Sequence, residues 1–257
     1  MKAIIFTDID GTLIDFETYS YAEVAPAVSR LVARQIPIVL CSSKTRTEQA
    51  YYRQALRIPD PFIVENGSAI MLPPGYFDAD LPPVIELGVT AVIIRQALDH
   101  IRQQTGLDFQ GYHDLALPEI CRITGLDETA AARARQREYS ETIVTPLTTA
   151  AYQHLHTALA AYGLTIVSGG KFHTVMSAKS NKGTAVTHLA ALFQQQWGDI
   201  VTIGLGDSAN DAPLLAAVER PFLVQKPGGR WQDMGDLPLT KVAAVGPLGW
   251  RQVAEAL

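Results

Sequence analysis

The chain has 257 residues, 47% of them hydrophobic and 18% charged, with a formal net charge of −5. At about 150 residues per domain this makes one large domain or two small ones, apolar enough for a real core and unlike a disordered chain. The acidic balance without a basic run excludes a nucleic-acid surface, and no apolar stretch reaches the roughly 18–20 residues of a membrane span. Cys41 and Cys121 stand alone, which excludes a disulfide framework and a cysteine zinc site. The start, Met1–Phe6, turns acidic at Asp8 and is too short for the apolar region of a signal peptide. A cytoplasmic protein with small-molecule partners, and neither nucleic acid nor membrane, is the expectation.

Ala3–Thr7 is an unbroken apolar run, as in a strand buried on both faces. Val24, Val28, Leu31 and Val32 then recur at helical spacing. Ser20 and Glu23 form a capping-box pattern before them, although Pro26 argues for a start nearer to itself. Ile36–Cys41 predicts a second strand, and Thr45 with Glu48 a capping box for a helix bearing Tyr52 and Leu56. Pro61–Glu65 predicts a third strand, stopped by the turn pair Asn66-Gly67. This βαβαβ order implies a parallel sheet with helices on both faces.

Pro73, Pro74, Gly75, Pro82 and Pro83 read as a linker into an inserted module. That module has helical periodicity at 90–104 and 127–139, a strand-like Ile143-Val144, a helix at 148–162 and a strand at Leu164–Ser168. Gly169-Gly170 marks the return. A strand at Phe172–Ser177 follows, then a helix lined by Ala185, Leu189, Leu192 and Phe193, then strands at Ile200–Gly204, Pro221–Val224 and Val242–Val245. The expected fold class is α/β: a doubly wound parallel sheet with a Rossmann-like core, built from 1–82 and 172–257 and split by an inserted α/β module at 83–171.

Asp8-Ile9-Asp10-Gly11-Thr12 follows the first strand directly. Residues two apart in extended chain share a side, so Asp8 and Asp10 converge where open α/β sheets bind ligands. Two carboxylates there call for a metal ion or a cationic partner; an ordinary Asp-Gly turn is the plain alternative. Gly204-Leu205-Gly206-Asp207-Ser208-Ala209-Asn210-Asp211 repeats the pattern, with Asp211 four residues after Asp207. Helix capping by Asp207, Ser208 or Asn210 is the alternative here. Together the two clusters form an oxygen-rich site suited to Mg²⁺. Ser42 and Ser43, between a strand and a helix, suit an anion, the plain alternative being that Ser43 or Thr45 simply caps the helix. Lys182 opens a helix, where an ammonium opposes the helix dipole, so capping does not explain it.

Taken in order, Asp8-x-Asp10-Gly11-Thr12, Ser42, Lys182 and Gly206-Asp207-x-x-Asn210-Asp211 resemble the haloacid-dehalogenase-like hydrolase superfamily. The insertion between Ser42 and Lys182 resembles its larger α/β cap. Several segments are similar to the mannosyl-3-phosphoglycerate phosphatase family: Phe6–Leu13, Cys41–Arg46, Phe62–Gly67, Ile123–Leu126, Arg137–Ser140 and Gly246–Trp250. The likeness spans nearly the whole chain. One departure stands out. The family pattern runs from two glycines into Arg-Phe-aromatic-His, and this chain has Gly170-Lys171-Phe172-His173-Thr174. Lysine makes no bidentate fork, which leaves glucosyl-3-phosphoglycerate or another sugar phosphate as alternative substrates.

The resemblance implies a Mg²⁺-dependent phosphatase that yields mannosylglycerate and phosphate. Asp8 is then the nucleophile and forms an aspartyl-phosphate, and Asp10 protonates the leaving alkoxide. Asp8, Asp207 and the backbone carbonyl of Asp10 hold the metal. Ser42, with Ser43 as the alternative, binds phosphate, and Lys182 screens its charge. Asn210 and Asp211 orient the metal waters and Lys182. Tyr112, His113, Arg133, Arg137 and Lys171 are the cap candidates to face substrate, and Ser43 and Asn210 join Lys171 and Arg137 as substrate ligands. A phosphomutase or phosphotransferase shares the first step. A phospho-accepting receiver lacks the insertion, and a dinucleotide-binding protein needs a third glycine where Ala209 stands.

Overall fold

The computed structural model describes residues 2–169 and 171–257. The chain starts with β1 (Lys2–Thr7), whose side chains divide between two cores: Ile5 joins one apolar cluster and Ile4 and Phe6 the other. Alternation of this kind is what a strand buried on both faces must show. Helix α1 (Ala25–Ala33) begins after Val24, which makes no side-chain cap, with Pro26 in its first turn. The Ser20/Glu23 box is therefore not formed; the Ser20 hydroxyl accepts from Ala22 N instead. Strand β2 (Ile38–Leu40) leads to α2 (Arg46–Leu56), where Thr45 and Glu48 do form the expected capping box.

Strand β3 (Phe62–Val64) is followed by a tight turn at 65–67 and by β4 (Ala69–Met71) and β5 (Val84–Glu86), which form a three-stranded antiparallel sheet. The proline-rich stretch at 73–83 thus joins two paired strands. It does not lead out of the core, and β5 lies beyond the expected break at 82/83.

The outer layer then runs α3 (Ala91–Thr105), α4 (Leu117–Thr124), α5 (Glu128–Arg135), β6 (Glu141–Ile143), α6 (Thr149–Ala160), β7 (Leu164–Gly169) and β8 (Phe172–Ser177). Its sheet has the order β6-β8-β7 and is antiparallel. The strand at 172–177, expected in the central sheet, belongs here: Val175 pairs with both Glu141 and Ile166. The expected change of layer at 172 therefore falls between two paired strands. Gly170, half of the expected return signal, lies outside the described residues.

The chain re-enters the core through α7 (Lys182–Trp197), β9 (Ile200–Gly206), α8 (Ala212–Ala216), β10 (Arg220–Gln225), β11 (Thr240–Val245) and α9 (Gly246–Glu255). The central sheet is parallel, in the order β11-β10-β9-β1-β2. A further bridge, Cys41 to Ile63, sets β3 beside β2. Helices cover both faces. Val28, Tyr52, Leu56 and Trp250 pack on one, and Leu189, Phe193 and Leu214 on the other.

Candidate active site

From β1 the chain moves to β2 on one side, and later returns to β9 on the other. Between β1 and β9 the strand order reverses, and such a switch point opens a crevice at the carboxyl ends of the strands. Thr7 pairs with Leu205, and Asp8 N donates to Leu205 O at 3.0 Å. Asp8 and Asp207 therefore leave adjacent strands into the same crevice. Gly11, at φ +75°, turns the chain there, and a side chain on it would press on the Asp207 carboxylate at 3.0 Å.

Lys182 is 1% exposed. Its Nζ donates to Asp8 Oδ1 and to Asp211 Oδ1, each at 2.6 Å. Asn181 caps α7 by accepting from Thr184 N, which leaves Lys182 to reach into the site from the first turn. Asp211 is fully committed: its Oδ2 accepts from Asp207 N and Ser208 N, each at 3.0 Å, and from Ser208 Oγ. Thr12 Oγ1 donates to Asp207 Oδ1 at 3.2 Å. Among the described residues, Asp8 Oδ2 and Asp207 Oδ2 take no hydrogen bond.

Three buried carboxylates, Asp8, Asp207 and Asp211, bring one oxygen each within 4.8 Å of one another. Burial and Asp211 hold the Asp8 carboxyl well above its usual range, against the pull of Lys182. Burial and Asp211 likewise push Asp207 up to about 7, against Lys226 and Lys182. For Lys182, burial favours the neutral amine, but Asp211 and Asp8 more than offset it and the net shift is upward. One ammonium against three carboxylates leaves a surplus of negative charge and two free oxygens. That donor set fits a hard divalent cation held by Asp8 and Asp207.

Asp10 stands apart from the three. Its carboxylate is held by Lys44, Nζ to Oδ1 at 3.0 Å, and Lys44 lies 3.6 Å from Glu48. The expected metal set takes only the backbone carbonyl from Asp10, and its side chain indeed lies outside the carboxylate cluster, in which Asp211 joins Asp8 and Asp207. Burial lowers Lys44, but Asp10 and Glu48 overcome it and its net shift is upward. Asp10 still lines the same cavity as Asp8.

Ser42 is wholly buried, and its Oγ accepts from Lys44 N at 3.3 Å, while Ser43 is on the cavity wall. Cys41 sits behind them, its thiol pushed up by burial, as a core residue.

The cavity, about 820 Å³, extends from Asp8 and Asp207 to the outer layer. Tyr112, Arg137 and Lys171 reach it; His113 and Arg133 are not on its wall. The Arg133 guanidinium lies over Tyr51 instead, 4.7 Å from the ring centre. Arg137 is 92% buried by side chain, given an exposure of 8%. Its Nη1 donates to Ser43 O at 3.3 Å and to Ser140 Oγ at 2.8 Å, and its Nε has no partner. Lys171 Nζ donates to Ile123 O. Asn210 is on the wall but engaged at both ends, accepting from Ser208 Oγ at 2.6 Å and donating to Asn66 Oδ1 at 3.3 Å. Sequence reasoning missed Lys44, Tyr19, Lys226, Arg230 and Trp231 on this wall. Only Lys44 carried a signal, as part of Cys41–Thr45.

A family model described as haloacid dehalogenase-like hydrolase matches residues 5–120 and 126–226. The chain belongs to the haloacid dehalogenase-like hydrolases. Among relatives of this hydrolase, the glucosyl-3-phosphoglycerate/mannosyl-3-phosphoglycerate phosphatase of Methanococcoides burtonii is 42% identical, over 97% of this chain and 95% of the relative. The protein of the same description from Persephonella marina is 31% identical, over 97% and 94%. A haloacid dehalogenase-like hydrolase from B. subtilis has the same fold, with a TM-score of 0.71 at 16% identity, covering 100% of each chain. No helix among the described residues is long and apolar enough to cross a membrane.

Proposed function

We propose that this hydrolase is a Mg²⁺-dependent phosphatase that converts mannosyl-3-phosphoglycerate to mannosylglycerate and phosphate, with glucosyl-3-phosphoglycerate as the alternative substrate. The observation that carries the reading is Asp8: buried, hydrogen-bonded to Lys182 through one oxygen, and with the other free at the foot of the large cavity. The bifunctional description of the relatives supports the substrate class. The cations rising up the wall, Lys44, Arg137 and Lys171, suit a substrate that carries a carboxylate besides its phosphate. Residues 91–177 act as the cap, the core supplies the chemistry, and the reaction takes place in the cytoplasm.

One carboxylate oxygen of Asp8 attacks phosphorus, the bond from phosphorus to the glycerate oxygen breaks, and an aspartyl-phosphate forms, the other oxygen of Asp8 being left for the cation. Asp10, fixed by Lys44, gives a proton to the departing alkoxide and then takes one from the attacking water. That water breaks the acyl phosphate at phosphorus and restores Asp8. Lys182 stabilises charge on the phosphoryl oxygens, and Asp211 holds Lys182 in place. The Ser42 hydroxyl and the Ser43 segment receive the phosphate. Asp8 and Asp207 would hold Mg²⁺, which when bound would supply charge neutralisation. The Asp10 backbone carbonyl remains the proposed third protein ligand.

Phosphate release from a panel of phosphorylated sugars, including both glycosyl-3-phosphoglycerates and with no acceptor added, tests the reading. Turnover of either glycosyl substrate well above the rest supports it. Transfer that requires an added sugar hydroxyl makes the enzyme a phosphotransferase and overturns it.

A further inference from the structure

The turn at 65–68 is held on four sides, and the catalytic cycle above does not use it. Glu65 and Asn66 both have left-handed backbone, φ +49° and +60°, without being glycine. Such residues persist only where their surroundings hold them. On the core side, Glu65 N donates to Lys44 O at 3.1 Å and Asn66 N to Ser42 O at 2.9 Å. Gly67, at φ +92°, packs so closely on the start of α7 that a Cβ would lie 2.1 Å from Asn181 O and 2.7 Å from Lys182 N. At the crossing between layers, Ser68 O accepts from Leu87 N and Gly88 N, each at 2.9 Å, and the Ser68 and Ser180 hydroxyls stand 3.5 Å apart.

The fourth side is the outer layer, and there the Glu65 side chain does the holding. It is wholly buried. Its Oε1 accepts from Glu138 N at 2.9 Å, and its Oε2 from Tyr139 N at 3.1 Å and from Ser140 Oγ. Arg137 Nη1 lies 3.9 Å from Oε2. One core carboxylate thus gathers four consecutive residues of the outer layer, among them the arginine that meets Ser43 over the cavity. Lifting that segment strips the carboxylate of every donor it has there, and hydrogen bonds to an ionised acceptor are the stronger kind.

We propose that Glu65 is a positioning residue for substrate recognition: it seats residues 137–140 on the core and so holds Arg137 against the Ser43 segment, where the non-transferred part of the substrate is read. A small phosphate ester without that part does not need the seat. The choice of large substrate rests on the function proposed above; the seating itself does not.

Glu65→Gln tests it, because the amide offers one acceptor and turns an NH₂ group towards the donors. The KM for the preferred glycosyl-3-phosphoglycerate rises about tenfold or more, while kcat/KM for p-nitrophenyl phosphate stays within about twofold. Amide exchange at Glu138 and Tyr139 quickens in the same variant. Ser140→Ala removes one donor and gives the same pattern more weakly, which keeps the test open if E65Q fails to fold. Equal losses on both substrates, an unchanged KM, or a KM rise without faster exchange would each overturn the proposal. Should the wild type cleave neither glycosyl substrate, the function proposed above fails on its own, and unchanged exchange at 138–139 would still reject the role of Glu65.

Discussion

Lys182 brings the only ammonium that touches Asp8 and Asp211 among the described residues. Removing it leaves both carboxylates buried and uncompensated. Lys182→Met is therefore expected to cost about 3–5 kcal/mol of stability and to lower kcat by roughly 10²–10³-fold. Urea unfolding and phosphate release check the two effects, and near-wild-type turnover would remove Lys182 from its role. These residues were legible in the sequence because each sits at a strand end or helix start whose local pattern is strong. Asp8 and Asp207 follow apolar strands, and Lys182 occupies a position where a cation has no local reason to be. The Asp10–Lys44 pair was not legible, since nothing local says which side chain neutralises which. Glu65 and Asn66 read only as the end of a strand and a turn pair, because the donors that define Glu65 come from 73 to 75 residues further along the chain.

Among the elements, α9 shows how a distant helix supports Asp8. Trp250 is wholly buried, and its Nε1 donates to Thr7 Oγ1 at 3.0 Å, which in turn donates to Asp8 O at 2.8 Å. Trp250→Phe is expected to cost about 1 kcal/mol for the lost bond, and Trp250→Ala about 3–5 kcal/mol for the cavity as well. Denaturation midpoints separate the two; a Trp250→Phe protein as stable as wild type would contradict the hydrogen bond, and equal costs would contradict the cavity. The turn at 65–68 makes a pH prediction. Burial lifts the Glu65 carboxyl above its usual value near 4.5, against the opposing pull of Arg137, Ser140 and the amides of Glu138 and Tyr139. A carboxyl raised by folding adds stability below its unfolded pKa and loses it as pH climbs through the folded one. The stability difference, wild type minus E65Q, is thus expected to grow as the pH falls from neutral towards that value. A difference that shrinks on acidification would contradict this. Strand β8 marks what periodicity leaves open: alternation identifies a strand at 172–177, but the choice between two sheets rests on partners at Glu141–Ile143 and Leu164–Gly169. Strands β4 and β5, three residues each, are too short to stand out from the loop between them.

At the level of the molecule, the parallel sheet brings two acidic strand ends about 200 residues apart in sequence into one crevice, and the outer layer closes the cavity above them. Thr45 Oγ1 and Thr47 Oγ1 donate to Arg133 O, and Arg46 pairs with Glu138, so α2 and the outer layer are tied beside the site. Excess chelator is expected to stop phosphate release and Mg²⁺ to restore it; activity that survives chelation would refute the metal assignment. The βαβαβ order of the first third, and α7, β9, β10 and β11 of the last, were readable from apolar runs, whereas α8 and α9 were not. The pairing of the outer layer depends on long-range contacts and was not readable either.

Everything in the proposed chemistry depends on a covalent step at Asp8. The direct test is to quench the enzyme with acid during turnover of the proposed glycosyl-3-phosphoglycerate substrate and weigh the N-terminal peptide. A hydroxylamine-labile phosphoryl group on Asp8, absent from Asp8→Asn, is the predicted result. Phosphate release by Asp8→Asn at a rate near wild type, or a phosphoryl group on another residue, would contradict it.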